Sequence, residues 1–313
     1  MRTLRFGICA VDLIVAGCAT PPVERPIYQL TDLTGDYAAF FDRTGDLGTA
    51  ARVSAFKAEM SKRLPGFYDP ARPPGVSPEK YDARIARSFI EFPAQREGFS
   101  RAAASFQSML GPAIDSFVET FADFRHVGRI ALLHSLGEMD GGTRTFNGQN
   151  WLVFGADMIA SLHGAGNARA FLHHELFHVY HAQFFAECEE VWCALWAEGL
   201  AVHVAARLNP GASDADLLLN EPEPIRAKID VNLSRAVCAI RARLDSNDPN
   251  DYAAFFYGSS RFEDLPPRSG YYVGYLAAKQ AGTQRTPAAL AHLDPAQARA
   301  VLESALSGLA DCR

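Results

Sequence analysis

The sequence predicts an α+β fold that is predominantly helical and contains a small sheet. Apolar residues recur at helical spacing in the first half of the chain, over residues 53–64 and 105–121. Two short apolar runs, residues 129–134 and 150–155, are bounded by glycine-rich turns, which is typical of strands. Helical spacing returns after Asn167 and continues to the C-terminal end. We therefore expect the sheet in the middle of the chain, between two helical regions.

The N-terminal residues predict an exported, lipid-anchored protein. Two arginines precede a short apolar stretch over residues 6–16, which is typical of a secretory signal and too short to span a bilayer. Residues 15–18 read Val-Ala-Gly-Cys and resemble a bacterial lipobox, which implies cleavage before Cys18 and a lipid on its thiol. Because Ala19 follows this cysteine, the resemblance implies the outer membrane, facing the periplasm. An ordinary signal peptide or a transmembrane anchor is the alternative.

The chain is expected to have four parts. Residues 1–17 form the signal peptide, and residues 18–30, which contain three prolines, form a tether between lipid and protein. Residues 31–125 form an N-terminal helical region, and residues 126–313 form the domain that carries the candidate site. The chain has 313 residues, of which 48% are hydrophobic, and this length and content suffice for a substantial core. Its net charge is -6. The positive charges form no basic stripe, so we expect no nucleic-acid partner.

A metal-site pattern lies in the first helix after Asn167. Residues 174–178 read His-Glu-Leu-Phe-His, an H-E-x-x-H pattern in an apolar stretch. His174 and His178 are one helical turn apart and can reach the same ion. Glu175 is too close in sequence to be a natural third ligand, but it can take a proton from water on the metal. The pattern therefore predicts a catalytic metal with Glu175 as general base.

Glu198 is the candidate third ligand. It lies in Trp-Ala-Glu-Gly-Leu-Ala, an otherwise apolar helical segment, where an uncompensated charge would be costly to bury. Two histidines, one glutamate and an open position form a standard catalytic zinc site. Phe184 stands where a metzincin would have its third histidine. We expect His173 and His181 to pack or hydrogen-bond near the site, and a role for His203 near the ligands or the substrate stays open.

These segments together resemble the gluzincin branch of zinc metallopeptidases, in which H-E-x-x-H is followed by a second helix with a ligand glutamate. Nineteen residues separate His178 from Glu198. The Glu-Gly-Leu-Ala segment, with Gly-Tyr-Tyr-Val-Gly-Tyr at residues 270–275, resembles bacterial families of predicted zinc proteases. The resemblance implies a zincin-like fold with a small sheet, an active-site helix and a second metal-ligand helix. It also implies that the Tyr271 hydroxyl donates a hydrogen bond to the former carbonyl oxygen in the transition state, with Tyr272 and Tyr275 as the alternative donors.

In zincin-like folds the edge strand of the sheet lies along the cleft and pairs with the substrate backbone. We expect residues 151–155 to be that strand, and Gly141 and Gly142 either to belong to this region or simply to form a hairpin loop.

The sequence also predicts the helices of the second half of the chain. One helix runs from Asn167 to about Glu187, and the helix that carries Glu198 ends at Leu208. Further helices are expected over 225–244, over 271–279 and from Pro295 onwards.

Four cysteines remain after the signal, an even number compatible with two disulfides in an oxidising compartment. A bond between Cys188 and Cys193 would clip the loop between the two ligand helices, and Cys238 with Cys312 would tie down the C-terminus. All three connectivities, and the reduced state, remain open at this level. A zinc site made of cysteines is disfavoured because none lies in a C-x2-C pair.

The expected function is that of a zinc-dependent peptidase with one Zn²⁺ per chain and a peptide or protein substrate. One alternative is a non-enzymatic envelope lipoprotein whose metal is structural, with His203 or His181 as the fourth ligand. Another is a zinc hydrolase that cleaves a bond other than a peptide bond. The sequence does not determine the oligomeric state.

Overall fold

The computed structural model of the chain describes residues 27–69, 76–163, 168–186, 188–258 and 262–312. The predicted signal peptide, the lipobox and Cys18 lie outside these residues. The predicted mixed α+β fold with a small sheet and a majority of helix is confirmed. The elements of the described residues are, in order, β1 Ile27–Asp32, α1 Thr34–Arg43, α2 Thr49–Arg63, α3 Pro78–Thr120, β2 His126–Leu133, β3 Gly141–Phe146, β4 Gln149–Gly155, α4 Ala156–Leu162, α5 Arg169–His181, α6 Val191–Leu208, α7 Ile225–Asp230, α8 Leu233–Arg241, α9 Pro249–Phe256, α10 Ser269–Ala281, α11 Pro287–Ala291 and α12 Pro295–Leu309.

The sheet has the order β1-β2-β4-β3. β1 and β2 are parallel, β2 and β4 are parallel, and β3 is antiparallel to β4. The prediction that residues 151–155 form the edge strand is wrong, because β4 pairs on both sides and β3 is the edge. The tether prediction is also wrong at its end, since residues 27–30 belong to β1. A single-sequence pattern does not show which strands become neighbours.

The glycines at 141 and 142 begin β3 and do not form the hairpin loop. The tight turn between β3 and β4 lies instead at Asn147 and Gly148, which have φ values of 53° and 69°. Positive φ at both central residues matches the right-handed twist of a two-residue hairpin, and asparagine followed by glycine adopts it most readily. An ideal Cβ at Gly141 would lie 2.4 Å from the Phe171 ring of α5. Glycine therefore lets β3 approach α5 closely.

Helices α1, α2 and α3 lie within residues 31–125, where the sequence predicts a helical region, and residues 31 and 32 belong to β1. Tyr37, Phe40, Phe56 and Phe92 are fully buried and pack ring against ring. α3 begins at a Ser77 cap that accepts a hydrogen bond from Lys80 N. It runs for 43 residues through two internal prolines and covers α4 and α5. One long helix thus connects the aromatic core with the region of the candidate site.

Three helices have boundaries at or near those that the sequence predicts. α6 ends at Leu208, α10 includes residues 271–279, and α12 begins at Pro295. α5 ends earlier than predicted, at His181, because the next amides bond three residues back in tight turns. The helix predicted over 225–244 is two helices, α7 and α8. The chain turns at Asn232, a residue type whose side chain competes with helical backbone bonding.

Both disulfides join the cysteines that the loop arrangement suggested. Cys188 is bonded to Cys193, with 5.9 Å between their Cα atoms. Cys188 lies in the loop before α6 and Cys193 in the first turn of α6, so the bond fastens the loop to the start of the helix. Cys238 of α8 is bonded to Cys312, with a Cα distance of 5.4 Å, and fastens the C-terminus behind α12. The first bond restrains the connection between the helix that carries H-E-x-x-H and the helix that carries Glu198.

α6 and α10 touch backbone to backbone at Gly199 and Gly274. An ideal Cβ on Gly199 would lie 2.2 Å from the carbonyl carbon of Gly274, and one on Gly274 would lie 2.4 Å from Leu195 O. Real Cβ atoms do not approach this closely, so the two helices cross here only because both positions are glycine. The crossing sets Glu198, adjacent to Gly199, beside the helix that carries Tyr271.

We expect Gly274→Ala to destabilise the protein by about 1–3 kcal/mol, because the added methyl forces α6 and α10 apart. The matched control is Gly98→Ala in α3, where a Cβ would meet Ala160 Cβ at an ordinary 3.6 Å. That control is expected to gain up to about 1 kcal/mol from the lower helix cost of alanine. Urea unfolding measures both changes, and equal effects in the two variants would contradict the close crossing.

Candidate metal centre

Three side chains from two helices converge at one point. His174 and His178 project from α5 one turn apart, and Glu198 projects from α6. His174 Nε2 and His178 Nε2 are 3.0 Å apart, and Glu198 Oε2 lies 3.2 Å and 3.3 Å from them. Each side chain retains a limited exposure of 15%, 24% and 20%, respectively. The structure thus brings together the three residues that the sequence singled out as ligands.

The geometry of these three atoms fits a zinc ion. With ligand bonds of about 2.0–2.2 Å, a tetrahedral zinc spaces its ligand atoms about 3.3 Å apart. Glu198 Oε2 is buried and has no hydrogen bond of normal geometry, although both imidazole nitrogens are near it. Such an orphaned buried oxygen requires compensation. Among the described residues, no fourth histidine, cysteine, aspartate or glutamate joins the group.

The electrostatics of the ligands suit metal binding. Burial lowers the pKa of His174, which keeps its imidazole neutral and able to coordinate at neutral pH. Burial alone would raise the pKa of Glu198, but the charge of His178 holds that pKa well below the ordinary 4.5. Glu198 is therefore held as a carboxylate beside the two imidazoles. The second group of candidate ligands, Cys188, Glu190 and Cys193, contains the disulfide and offers no thiolates.

The three ligands line a cleft of about 930 Å³. Glu175 also lines it, on the face of α5 next to the ligands, and only 7% of its surface is exposed. Burial raises the pKa of Glu175 to about 8, and the negative charges of Asp140 and Glu198 act in the same direction. A carboxylate with a pKa near the operating pH is suited to accept and return a proton.

Tyr271 is the member of the tyrosine segment that reaches the cleft. Its ring centroid lies 6.4 Å from that of His174, and burial raises its pKa well above 10, so the phenol keeps its proton. Tyr272 points elsewhere and donates a hydrogen bond to Asp230. Tyr275 is buried one turn further along α10, near the rings of His203 and Tyr272, and does not line the cleft. Of the three rivals, the geometry favours Tyr271.

The neighbouring histidines have separate environments. His173 is fully buried, with Nε2 near Ser116 Oγ and Ala113 O and Nδ1 near the Asn209 amide, so it connects α5 to α3 and to the end of α6. His181 stacks between Phe177 and Phe185 at the edge of the cleft. Neither imidazole belongs to the three-ligand group.

His203 lies outside the cleft, buried against the backbone of Gly282. Burial, with the charges of Arg207 and Lys279, lowers its pKa from 6.5 to about 4. Between these two pH values the unfolded chain takes up a proton that the folded protein excludes. Stability contributed by the neutral ring is thus present above pH 6.5 and is lost as the pH falls towards 4.

We expect replacement of His203 by glutamine to reduce the acid sensitivity of the protein. Between pH 7 and pH 5 the wild type should lose about 2 kcal/mol of unfolding free energy that His203→Gln does not lose. Urea unfolding of both metal-free proteins at the two pH values measures this, because the remaining histidines titrate alike in both. Parallel losses in the two proteins would contradict the buried neutral state.

Sequence reasoning missed two walls of the cleft. One wall is β3, whose residues from Gly141 to Arg144 line the cleft along the edge of the sheet. The other contains Tyr252, Phe256 and Arg268, from α9 and the turn before α10. The Asn147-Gly148 pair, which is typical of a two-residue β-hairpin, could have indicated that a strand precedes β4 and forms the first wall. The second depends on how α9 packs on α10, for which the sequence carries no local signal.

The chain was compared with known proteins at three levels. No protein-family model, curated protein or solved structure matches it.

Proposed function

We propose that this protein is a zinc-dependent peptidase with a zincin-like fold, as the H-E-x-x-H segment and the Glu198 helix suggest. The observation that carries the proposal is the group of three ligand atoms, 3.0–3.3 Å apart, in the wall of an open cleft. His174, His178 and Glu198 would hold one Zn²⁺. The absence of a fourth ligand from the described residues supports a catalytic site over a structural one.

When bound, zinc supplies a Lewis acid that polarises the substrate carbonyl and acidifies water. Glu175 takes a proton from the attacking water, whose oxygen bonds to the carbonyl carbon. The Tyr271 hydroxyl donates a hydrogen bond to the former carbonyl oxygen as that oxygen gains negative charge. The carbon–nitrogen bond then breaks, and Glu175 passes its proton to the leaving amine. The products are a carboxylic acid and an amine, which ionise to a carboxylate and an ammonium group.

β3 is the strand that would hold the substrate backbone. Among the described strands it pairs only with β4, so its outer edge has no partner strand, and its residues from Gly141 to Arg144 line the cleft. An extended peptide can add to such an edge through backbone hydrogen bonds. This assignment replaces the expectation for residues 151–155, which lie inside the sheet. Backbone pairing favours unfolded or extended substrates of varied sequence.

We also propose that the protein is anchored in the bacterial envelope through a lipid on Cys18, facing the periplasm. Residues 15–18 support the anchor, and the two disulfides support an oxidising compartment. Mass spectrometry of the N-terminal peptide from the membrane fraction tests the anchor. An unmodified Cys18 would contradict it.

The test of the activity uses the chain without its first 26 residues and a mixed library of short peptides. We expect cleavage by the zinc-loaded protein, loss of cleavage with a chelator, and recovery when zinc is restored. Circular dichroism and elemental analysis follow the fold and the metal. A chelator that unfolds the protein without any prior cleavage would favour a structural metal, and cleavage of esters or amides but not of peptides would favour another hydrolase.

A further inference from the structure

Arg268 places a positive charge in the cleft near the candidate metal centre. Its guanidinium carbon lies 4.5 Å from the centroid of the Tyr271 ring, and that centroid lies 6.4 Å from the centroid of the His174 ring. The guanidinium is therefore at most about 11 Å from the imidazole. Arg268 lines the same cleft as Glu175 and the three ligands.

The backbone of Arg268 has a conformation that is uncommon for arginine. Its φ of 60° is left-handed, at the position just before α10 begins. Glycine adopts this conformation freely, whereas a residue with a Cβ is strained in it. Glycine occupies position 270, two residues away, but not this one. An arginine at such a position suggests a use for its side chain.

The charge of Arg268 has no carboxylate partner among the described residues, whereas Glu138 and Asp140 of the same cleft each have a basic partner. Glu138 accepts from Arg84 at 3.0 Å, and Asp140 lies 3.1 Å from His163 Nε2. The polar contact of Arg268 is a long one, 3.4 Å from its Nη1 to Glu221 O. A half-buried guanidinium with one weak acceptor retains several donors for a ligand.

We propose that Arg268 binds a carboxylate of the substrate and thereby sets the position at which the peptide is cleaved. This inference rests on the proposed peptidase function. The planar guanidinium matches a carboxylate with two parallel hydrogen bonds. An extended peptide advances about 3.3 Å per residue, so the carboxylate lies within about three residues of the scissile bond. It is either the C-terminal carboxylate or the side chain of an aspartate or glutamate.

The test uses pairs of short peptides that differ only in that carboxylate. One set compares a free C-terminus with its amide, and the other compares aspartate or glutamate with asparagine or glutamine near the cleavage site. We expect kcat/KM to be about 10- to 100-fold higher for the carboxylate member of one set. The set that shows the difference identifies the source of the carboxylate. Equal rates within both sets would overturn the proposal.

Arg268→Gln should raise KM for the carboxylate member of the responding pair and thereby remove the preference. The matched control is Arg226→Gln. Arg226, from α7, lies 5.0 Å from the centroid of the Tyr272 ring of α10, but it does not line the cleft. We expect the control to retain the preference. A uniform fall in kcat for all peptides with Arg268→Gln would overturn substrate anchoring and indicate a role in the transition state.

Binding separates this inference from the proposed function. Calorimetric titration of the same peptide pairs into the zinc-loaded Glu175→Gln protein reports the preference without turnover. In one outcome, the variant binds the carboxylate member more tightly while the wild type hydrolyses none of the peptides. That result would support carboxylate binding by Arg268 and contradict the proposed peptidase function. Hydrolysis without a preference in rate or binding would support the peptidase and contradict the role of Arg268.

Discussion

Glu175→Gln is expected to lower peptide hydrolysis by about 100- to 10,000-fold, the range found when a general base is removed. The amide keeps the shape of the side chain but cannot take a proton from water. Glu175 does not belong to the ligand group, so the zinc content should stay at about one ion per chain. Because burial already raises the pKa of Glu175 to about 8, a neutral amide should fit the site without loss of stability.

Steady-state rates with a cleaved library peptide, together with elemental analysis, measure these effects. Glu138→Gln is the control for the loss of a negative charge in the cleft, since Glu138 lines the cleft and pairs with Arg84. It should retain most of the rate. Undiminished hydrolysis by purified Glu175→Gln would remove Glu175 from the mechanism.

Glu198→Ala is expected to weaken zinc binding by more than about 100-fold, because loss of a direct ligand exceeds the 10- to 100-fold loss seen for groups that only support a ligand. Only two imidazoles would remain at the site, and a dialysed protein should contain almost no zinc. Hydrolysis should fall in parallel with the metal. Competition with a chromophoric chelator measures the affinity.

Glu190→Gln is the control for Glu198→Ala. Glu190 lies at the start of the same helix, beside the disulfide of Cys188 and Cys193. Its replacement should leave the zinc affinity unchanged. Full zinc content in Glu198→Ala would exclude this carboxylate as the third ligand, and loss of zinc in Glu190→Gln would move the metal to the other end of α6.

The parts of the site that could be predicted are those set by local spacing. His174 and His178 share a helical face because they are four residues apart, whatever surrounds the helix. Glu198 could be found because a lone carboxylate in an apolar helix requires a partner. Tyr271 depended on a resemblance, and only its position in the cleft separates it from Tyr272.

The parts that could not be predicted depend on contacts between distant segments. The pairing of β1 with β2 joins residues about a hundred apart, so residues 27–30 gave no sign that they belong to a strand. The edge position of β3 depends on the order of the sheet. Arg268 lines the cleft at the start of α10, whose position depends on its crossing with α6 and on its packing against α9. A single sequence shows the secondary structure that each segment prefers, but it does not show which segments become neighbours in the fold.

The glycine crossing has a mechanical consequence. With no side chains between Gly199 and Gly274, the two helices have no soft layer that could yield, and close-packed backbone deforms little. The disulfide at Cys193 couples the preceding loop to the same block. The Glu198 side of the cleft should thus be rigid, and adjustment to a bulky ligand is expected in the outer strand β3, which lines another part of the cleft.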